Sequence, residues 1–279
     1  MKLVMTLLVR DEQDILRANI DFHLSQGVDF IIATDNLSID SSKDILHEYE
    51  KKGVLHYIYE QDDDFNQEKW VTRMARMAAE QFNADWVINT DADEFWLPRS
   101  GNLNETFSTI PSEYNVIQVE RHNFVPMIDN EVLVPFYHSM IYQEVASLNP
   151  AGKPLPAKQA HIGNTDVSVK SGNHRVDGFA EQAIIHGLID IYHFPIRRYS
   201  QIENKITKMG AALERNTDQP AKSGGARRAL YRDYKQKGNL HHYFDNVTYN
   251  DVRITEELKA RKIVKNTCIQ EYLARLYHE

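Results

Sequence analysis

A single cysteine, Cys268, occurs in the 279 residues, so no intramolecular disulfide can form, and the count suits a reducing compartment. Its neighbours Ile269, Tyr272, Leu273 and Leu276 form an apolar helical pattern, and the expected role is a buried structural thiol. Long hydrophobic runs are missing too. Nothing approaches the roughly 18 apolar residues of a spanning helix, and the opening run Leu3–Val9 meets Arg10-Asp11-Glu12 too soon for a secretory signal. The expectation is a cytoplasmic protein. Glycine-rich phosphate loops are also absent. No GxGxxG follows the first apolar run and no GxxxxGK[ST] occurs, which excludes a dinucleotide fingerprint and a P-loop. No GxSxG elbow is present. Repeats, low-complexity tracts and heptad arrays are lacking.

What is there is an ordinary globular composition, 42% hydrophobic and 26% charged, in a chain long enough to bury a sizeable core. The net charge of −8 hides an asymmetry. Residues 1–196 carry 15 Lys and Arg against 30 Asp and Glu, and residues 197–237 carry 11 against 4. The acidic part is a poor nucleic-acid binder. The basic segment suits phosphates or the anionic inner face of a membrane, and equally a solvated helix face. Two regions are expected, a catalytic domain at 1–196 and a helical region at 197–279.

Residues 1–97 alternate strand and helix. Apolar runs at Leu3–Val9, Val28–Ala33, Val54–Tyr59 and Trp86–Thr90 read as strands, the first of them buried on both faces and the second buried as well. Helices are expected at Glu12–Gln26, with Gly27 as its stop, from Ser41 with a capping box to Asp44, and at Asn66–Phe82. Three successive strand–helix–strand units imply a parallel sheet with helices on its faces. Beyond Pro98, strands are expected at Asn115–Glu120, Val132–Tyr137 and Ala183–Phe194. Residues 148–178 read as a long loop, and helices are expected at about 199–216, 225–237, 252–264 and 267–277.

In an open α/β sheet the ligand lies beyond the carboxyl ends of the strands. Three such ends carry acids: Asp11-Glu12, Asp35 with Asp40, and Asp91-Ala92-Asp93-Glu94. That much negative charge on one rim calls for a divalent cation, which also serves a diphosphate in place of a glycine-rich loop. Asp91 and Asp93, at i and i+2 of an extended chain, would point the same way and converge on one ion, with Glu94 pointing elsewhere.

The stretch KLVMTLLVRDEQDIL…GVDFIIATDNLSIDSS…WVINTDADEFWLP resembles bacterial family 2-like glycosyltransferases with the GT-A fold. The resemblance is specific over about residues 2–97, looser over 115–206 and absent over 207–279. One departure is Arg10-Asp11 where an Asn often stands. The resemblance implies an α/β, GT-A-like fold, with a mostly parallel sheet, flanking helices and a C-terminal helical region. It implies a nucleotide-sugar donor, Mn²⁺ or Mg²⁺, and a glycan or lipid-linked acceptor, in surface polysaccharide synthesis. Carried over residue by residue, it assigns Arg10, Glu12 and Asp35 to the nucleoside, and Gln67, Lys69 and Arg73 to the donor base or phosphate. Asp91 would meet the ribose or a metal-bound water and Asp93 the metal, joined by His193. Arg197, Arg198 and Lys205 would neutralise the departing diphosphate. Asp177, Glu181 and Glu120 are the candidates for the base that takes the acceptor's proton.

For several of these positions a plainer role stands beside the functional one. Asp35 can cap a turn, Glu12 can favour a helix start, and the acids named as base can be ordinary surface carboxylates. Two other functions compete: a sugar-phosphate nucleotidyltransferase, which would want a basic glycine-rich loop after the first strand, and a non-catalytic glycan- or nucleotide-sugar-binding protein with a decayed site.

Overall fold

The computed structural model describes residues 1–128, 134–148, 152–216 and 224–278. In chain order the first half holds β1 (Leu3–Val9), α1 (Leu16–Ser25), β2 (Phe30–Asn36), α2 (Ser42–Lys51), β3 (Leu55–Glu60), α3 (Gln67–Glu80), β4 (Trp86–Asp91), β5 (Glu94–Pro98), α4 (Leu103–Ser108) and β6 (Val116–Asn123). Then come α5 (Phe136–Ser139), β7 (Tyr142–Glu144), β8 (Lys158–Ile162), β9 (Ser168–Val169), β10 (Val176–Asp177) and β11 (Ile184–His193). The rest holds α6 (Tyr199–Arg215), α7 (Gly225–Lys237), α8 (His241–Val247), α9 (Asp251–Lys259), β12 (Ile263–Lys265) and α10 (Cys268–Tyr277).

The α/β class and the parallel arrangement of the first four strands are as expected. One sheet of eight strands runs β3-β2-β1-β4-β8-β6-β11-β5. β1 lies between β2 and β4, parallel to both, and its Leu3, Val4, Met5, Leu7 and Val9 are all buried. A strand covered on both faces is apolar along most of its length, which is why it reads as a run and not as an alternation; the exception, Thr6, donates its hydroxyl to Asn89 Oδ1. The other half of the sheet is antiparallel where β8 joins β4 and β6, and where β11 joins β5. α3 lays Val71, Met74, Ala75 and Ala78 against Val4, Ile32 and Val87 of the sheet, a stripe at helical spacing.

Two compact units result. The first comprises residues 1–61, 67–121 and 155–193, and the second 62–66, 122–154 and 194–279. In the second unit Ile196, Ile202, Ile206, Leu240 and Phe244 form one apolar cluster, and Val125, Tyr249, Ile254 and Ile263 form another. Gly210 of α6 lets the ring of Tyr231 on α7 press in, since a Cβ there would stand 2.2 Å from its Cγ.

Several expectations are corrected. The span 148–178 is not a loop: it supplies β8, a central strand, and the β9–β10 ribbon. The strand expected at 132–137 is replaced by the short helix α5, while residues 132 and 133 lie outside the described residues. The helix expected over 252–264 ends at Lys259, and β12 then pairs with β7. Ser41 makes no capping bond; the Asp40 carboxylate accepts the Ser42 N–H instead, at 2.9 Å. Cys268 is half-buried, because it opens α10 and does not lie on its buried side, which carries Ile269 and Leu273.

Two fully buried histidines make the first unit acid-sensitive. Burial pulls His23 and His161 each down to about 4. The His23 ring donates from Nδ1 to the Asn19 carbonyl and accepts the Trp96 N–H at Nε2, so a second proton would meet a donor. Both folded values lie below the free value of about 6.5. The unfolded chain therefore binds more protons between these limits. Stability is complete above about pH 6.5 and is lost as pH falls towards 4, by on the order of 3 kcal/mol per ring. Melting curves from pH 7 to 4.5 should show a falling Tm that His23→Gln flattens; a Tm independent of pH over that range would contradict this.

Candidate active site at the strand ends

The register brings the acidic strand ends together. Val9 of β1 lies opposite Asp35 of β2, and Leu8 opposite Asp91 of β4. Asp35 and Asp91 thus flank the end of β1.

The loops after β1 and β2 are cross-linked by their own polar groups. The Asp11 N–H donates to Ser38 Oγ and the Asp11 carboxylate accepts the Ile39 N–H. The Glu12 N–H donates to Ser42 Oγ, and the Gln13 N–H to the Asp40 carboxylate. Asp11 adopts a left-handed conformation, φ 53°, which an aspartate tolerates. Arg10 donates to Asn36 Oδ1 at 3.3 Å, and Glu12 is buried.

Asp35, at the rim where β2 ends, is fully buried. One carboxylate oxygen accepts the Ser38 N–H and the other the Tyr57 hydroxyl, each at 3.1 Å. Burial and then the Asp35 carboxylate push the Tyr57 phenol up. Asp35→Ala would leave both donors unsatisfied, at about 1–3 kcal/mol. A lowered Tm is the expected result, and a melt identical to that of the parent would refute the turn-holding role.

The DADEF segment departs from the extended geometry expected of it. β4 ends at Asp91 and β5 starts at Glu94, so Ala92 and Asp93 form the turn between them. The two aspartates therefore reach different partners. Asp91 Oδ2 lies 2.6 Å from Lys158 Nζ. Asp91 Oδ1 accepts from Gln67 Nε2 at 3.2 Å and from Asn173 Nδ2 at 3.4 Å. Asp93 faces His193, with Oδ1 3.6 Å from Nε2 and both side chains largely buried. His193 arrives there because β11 pairs with β5 in a register that sets it opposite Glu94.

Glu94 does not point away from this cluster. It is fully buried, accepts the Asp91 N–H, and pairs with Lys158 at 3.1 Å and Arg121 at 3.4 Å. Lys158 itself is fully buried. Beside it, burial and then the positive charges of Lys158 and Arg121 pull His174 down to about 4, so its ring is neutral near pH 7.

Arg73 pairs with Glu60 at 3.0 Å, and Lys69 is exposed on α3. Asp177 pairs with Arg175 at 2.7 Å, and Glu181 is exposed. Glu120 is exposed as well, and strand alternation turns it to the face of β6 opposite Arg121. In the second unit Arg197 is buried and donates to the Phe194 carbonyl, while Lys205 lies half-buried on α6.

Among the described residues no three His, Cys, Asp or Glu side chains converge on one metal position. The pair Asp93–His193 nevertheless fits two ligands of one ion. Ligands about 2.1 Å from an octahedral ion sit about 3 Å apart, and Mg²⁺ commonly takes one or two protein carboxylates with the rest from substrate phosphate and water. A carboxylate with an imidazole also suits Mn²⁺.

The family model described as Glycosyltransferase family 92 matches residues 4–223, a span that holds these strand ends. No curated protein matches in sequence. Among solved structures, Staphylococcus aureus TarS 1–349 in complex with UDP aligns at 10% identity and TM-score 0.43, over 84% of this chain and 71% of that one. S. aureus TarS aligns at 10% and 0.46, over 87% and 45%. Glucosyl-3-phosphoglycerate synthase from Mycobacterium tuberculosis, in complex with Mn²⁺, UDP and phosphoglyceric acid, aligns at 12% and 0.31, over 43% of each chain.

Proposed function

The chain belongs to glycosyltransferase family 92, and on that premise we propose that it transfers a sugar from a nucleotide-sugar donor, with Mn²⁺ or Mg²⁺, to a glycan or lipid-linked acceptor in surface polysaccharide synthesis. The observation that carries the reading is the division of the acidic motif at the end of β4. Asp91 is gripped by Lys158, Gln67 and Asn173, and Asp93 is set 3.6 Å from His193.

Asp93 and His193 would hold the cation. When bound, it would stabilise the charge that builds on the leaving diphosphate. The chain's own groups do the rest. Asp91 accepts hydrogen bonds at the end of β4, where the sugar-nucleotide would lie. The interlocked loops after β1 and β2 wall the nucleoside side, with Arg10 presented from the first of them. Arg197 and Lys205 remain candidates for the diphosphate in the second unit.

A thermal-shift panel of UDP-, GDP-, CMP- and dTDP-sugars, each with and without Mn²⁺, tests the reading. One donor should raise the Tm, and more so with the ion, because a ligand of the native state stabilises it by linkage. No shift with any of them would count against a nucleotide-sugar site.

The basic segment supports a peripheral membrane contact. α7 exposes Arg227, Arg232, Lys235 and Lys237, and no described helix is long and apolar enough to cross a membrane. Anionic liposomes should retain the protein at low salt and release it at high salt. Equal flotation with neutral and anionic liposomes would refute the contact.

A further inference from the structure

Lys158 is a fully buried lysine at the start of a central strand. Removing an ammonium from water costs several kcal/mol unless partners replace the water. Here the partners are two carboxylates of the acidic motif: Asp91 Oδ2 at 2.6 Å and Glu94 Oε1 at 3.1 Å. Arg121 supplies a second positive charge to Glu94 at 3.4 Å. Two cations and two carboxylates thus offset one another. Asp93, beside His193, is the motif's remaining carboxylate.

The geometry also restricts what Asp91 can bind. Its Oδ2 already faces the ammonium. A divalent ion about 2.1 Å from the same oxygen would stand less than about 5 Å from Nζ, and repulsion at that range is strong in a partly buried site. Its Oδ1 is turned to Gln67 and Asn173. Asn173 is itself buried, and its Oδ1 has no hydrogen-bond partner among the described residues.

We propose that Lys158 is a positioning residue: it pins Asp91 for the sugar-nucleotide and bars it from the inner sphere of the cation, so that Asp93 and His193 are the ion's protein ligands. This rests on the nucleotide-sugar reading above and deepens it by naming Lys158 as the residue that keeps the roles of the two aspartates apart.

The test measures Mn²⁺ binding by electron paramagnetic resonance, alone and with UDP as probe, and UDP affinity by calorimetry, on the full chain. Asp91→Asn should keep Mn²⁺ affinity within about threefold of the parent, while Asp93→Asn and His193→Gln should weaken it at least about tenfold, or about 1.4 kcal/mol. Lys158→Met should bind Mn²⁺ at least as tightly as the parent, because a competing cation is gone, yet bind UDP at least about tenfold more weakly. Lys158→Arg should recover part of the UDP affinity, which a merely structural role for the buried charge does not require.

Should Lys158→Met fail to fold, Asp91→Asn decides alone. Loss of Mn²⁺ affinity in Asp91→Asn in step with Asp93→Asn would overturn the proposal while leaving a metal-dependent transferase intact. A parent protein that binds no Mn²⁺ with or without UDP would remove both this assignment and the metal reading.

Discussion

Replacing Asp93 by Asn should leave a folded protein that no longer turns over its donor. Its carboxylate is 4% exposed and stands 3.6 Å from His193 Nε2, so the amide fits the same space. The change removes a negative charge beside the imidazole and halves the protein's donor set for the ion. Charge stabilisation of a leaving phosphate is worth several kcal/mol, and about 4 kcal/mol corresponds to roughly a thousandfold in rate. Asp93→Ala should fail at least as completely. The readout is release of free nucleotide from the donor found by thermal shift, run beside circular dichroism to show the fold. EDTA should remove the parent's activity, and Mn²⁺ or Mg²⁺ should restore it. An Asp93→Ala variant that turns over the donor normally, or full activity of the parent in EDTA, would rule out the metal reading.

The parts of the molecule legible in the sequence are those set by local pattern. β1, β2 and β4 are buried on both faces and open on apolar runs, so they announce themselves, while the polar residues come mostly at their carboxyl ends. The positive φ of Gly27, 87°, marks the end of α1 where the sequence places its stop. The DADEF context points to a glycosyltransferase through its resemblance to family 2-like proteins, and the matching family model is family 92.

What stayed hidden depends on contacts distant in the chain. β8 reads Lys-Gln-Ala-His-Ile, and three polar residues in five argue for solvent. All three are buried, and the partners of Lys158 and Gln159 come from distant parts of the chain. Lys158 meets Asp91 and Glu94, Gln159 accepts the Val176 N–H, and the His161 ring bonds the Ile162 carbonyl. No periodicity signals such a strand. The only sequence signal for Lys158 is the acidic rim after β4, which calls for an offsetting cation and is satisfied equally by a divalent ion. The motif's own geometry was out of reach for a related reason. An i, i+2 rule holds in extended chain, and the chain turns at Ala92-Asp93. Asp35 shows the converse: its turn-capping and its binding roles are indistinguishable in sequence, and its full burial is visible only in three dimensions.

The turn also reverses the expectation for Glu94, which the extended reading points away from the ion. Glu94 is fully buried. It meets Lys158 at 3.1 Å and Arg121 at 3.4 Å, and it accepts the Asp91 N–H at 3.3 Å. Glu94→Ala deletes the anion that the buried Lys158 and the partly buried Arg121 share. Lys158 would keep only Asp91, Arg121 would lose its carboxylate, and the Asp91 amide would lose its acceptor. Breaking a buried ion pair from one side costs about 3–5 kcal/mol, because the partner charge stays buried without compensation. Glu94→Ala should therefore lower the Tm by more than Asp35→Ala does. Glu94→Gln keeps an acceptor oxygen for Lys158 and the Asp91 amide, and should fall between Glu94→Ala and the parent. Adding Lys158→Met to Glu94→Ala removes the stranded ammonium together with its lost partner, so the double variant should be more stable than the sum of its single changes requires. Urea denaturation of the parent, the two single variants and the double variant measures that coupling. Additive losses, or a Glu94→Ala variant with the midpoint of the parent, would mean that Glu94 and Lys158 do not hold each other in place.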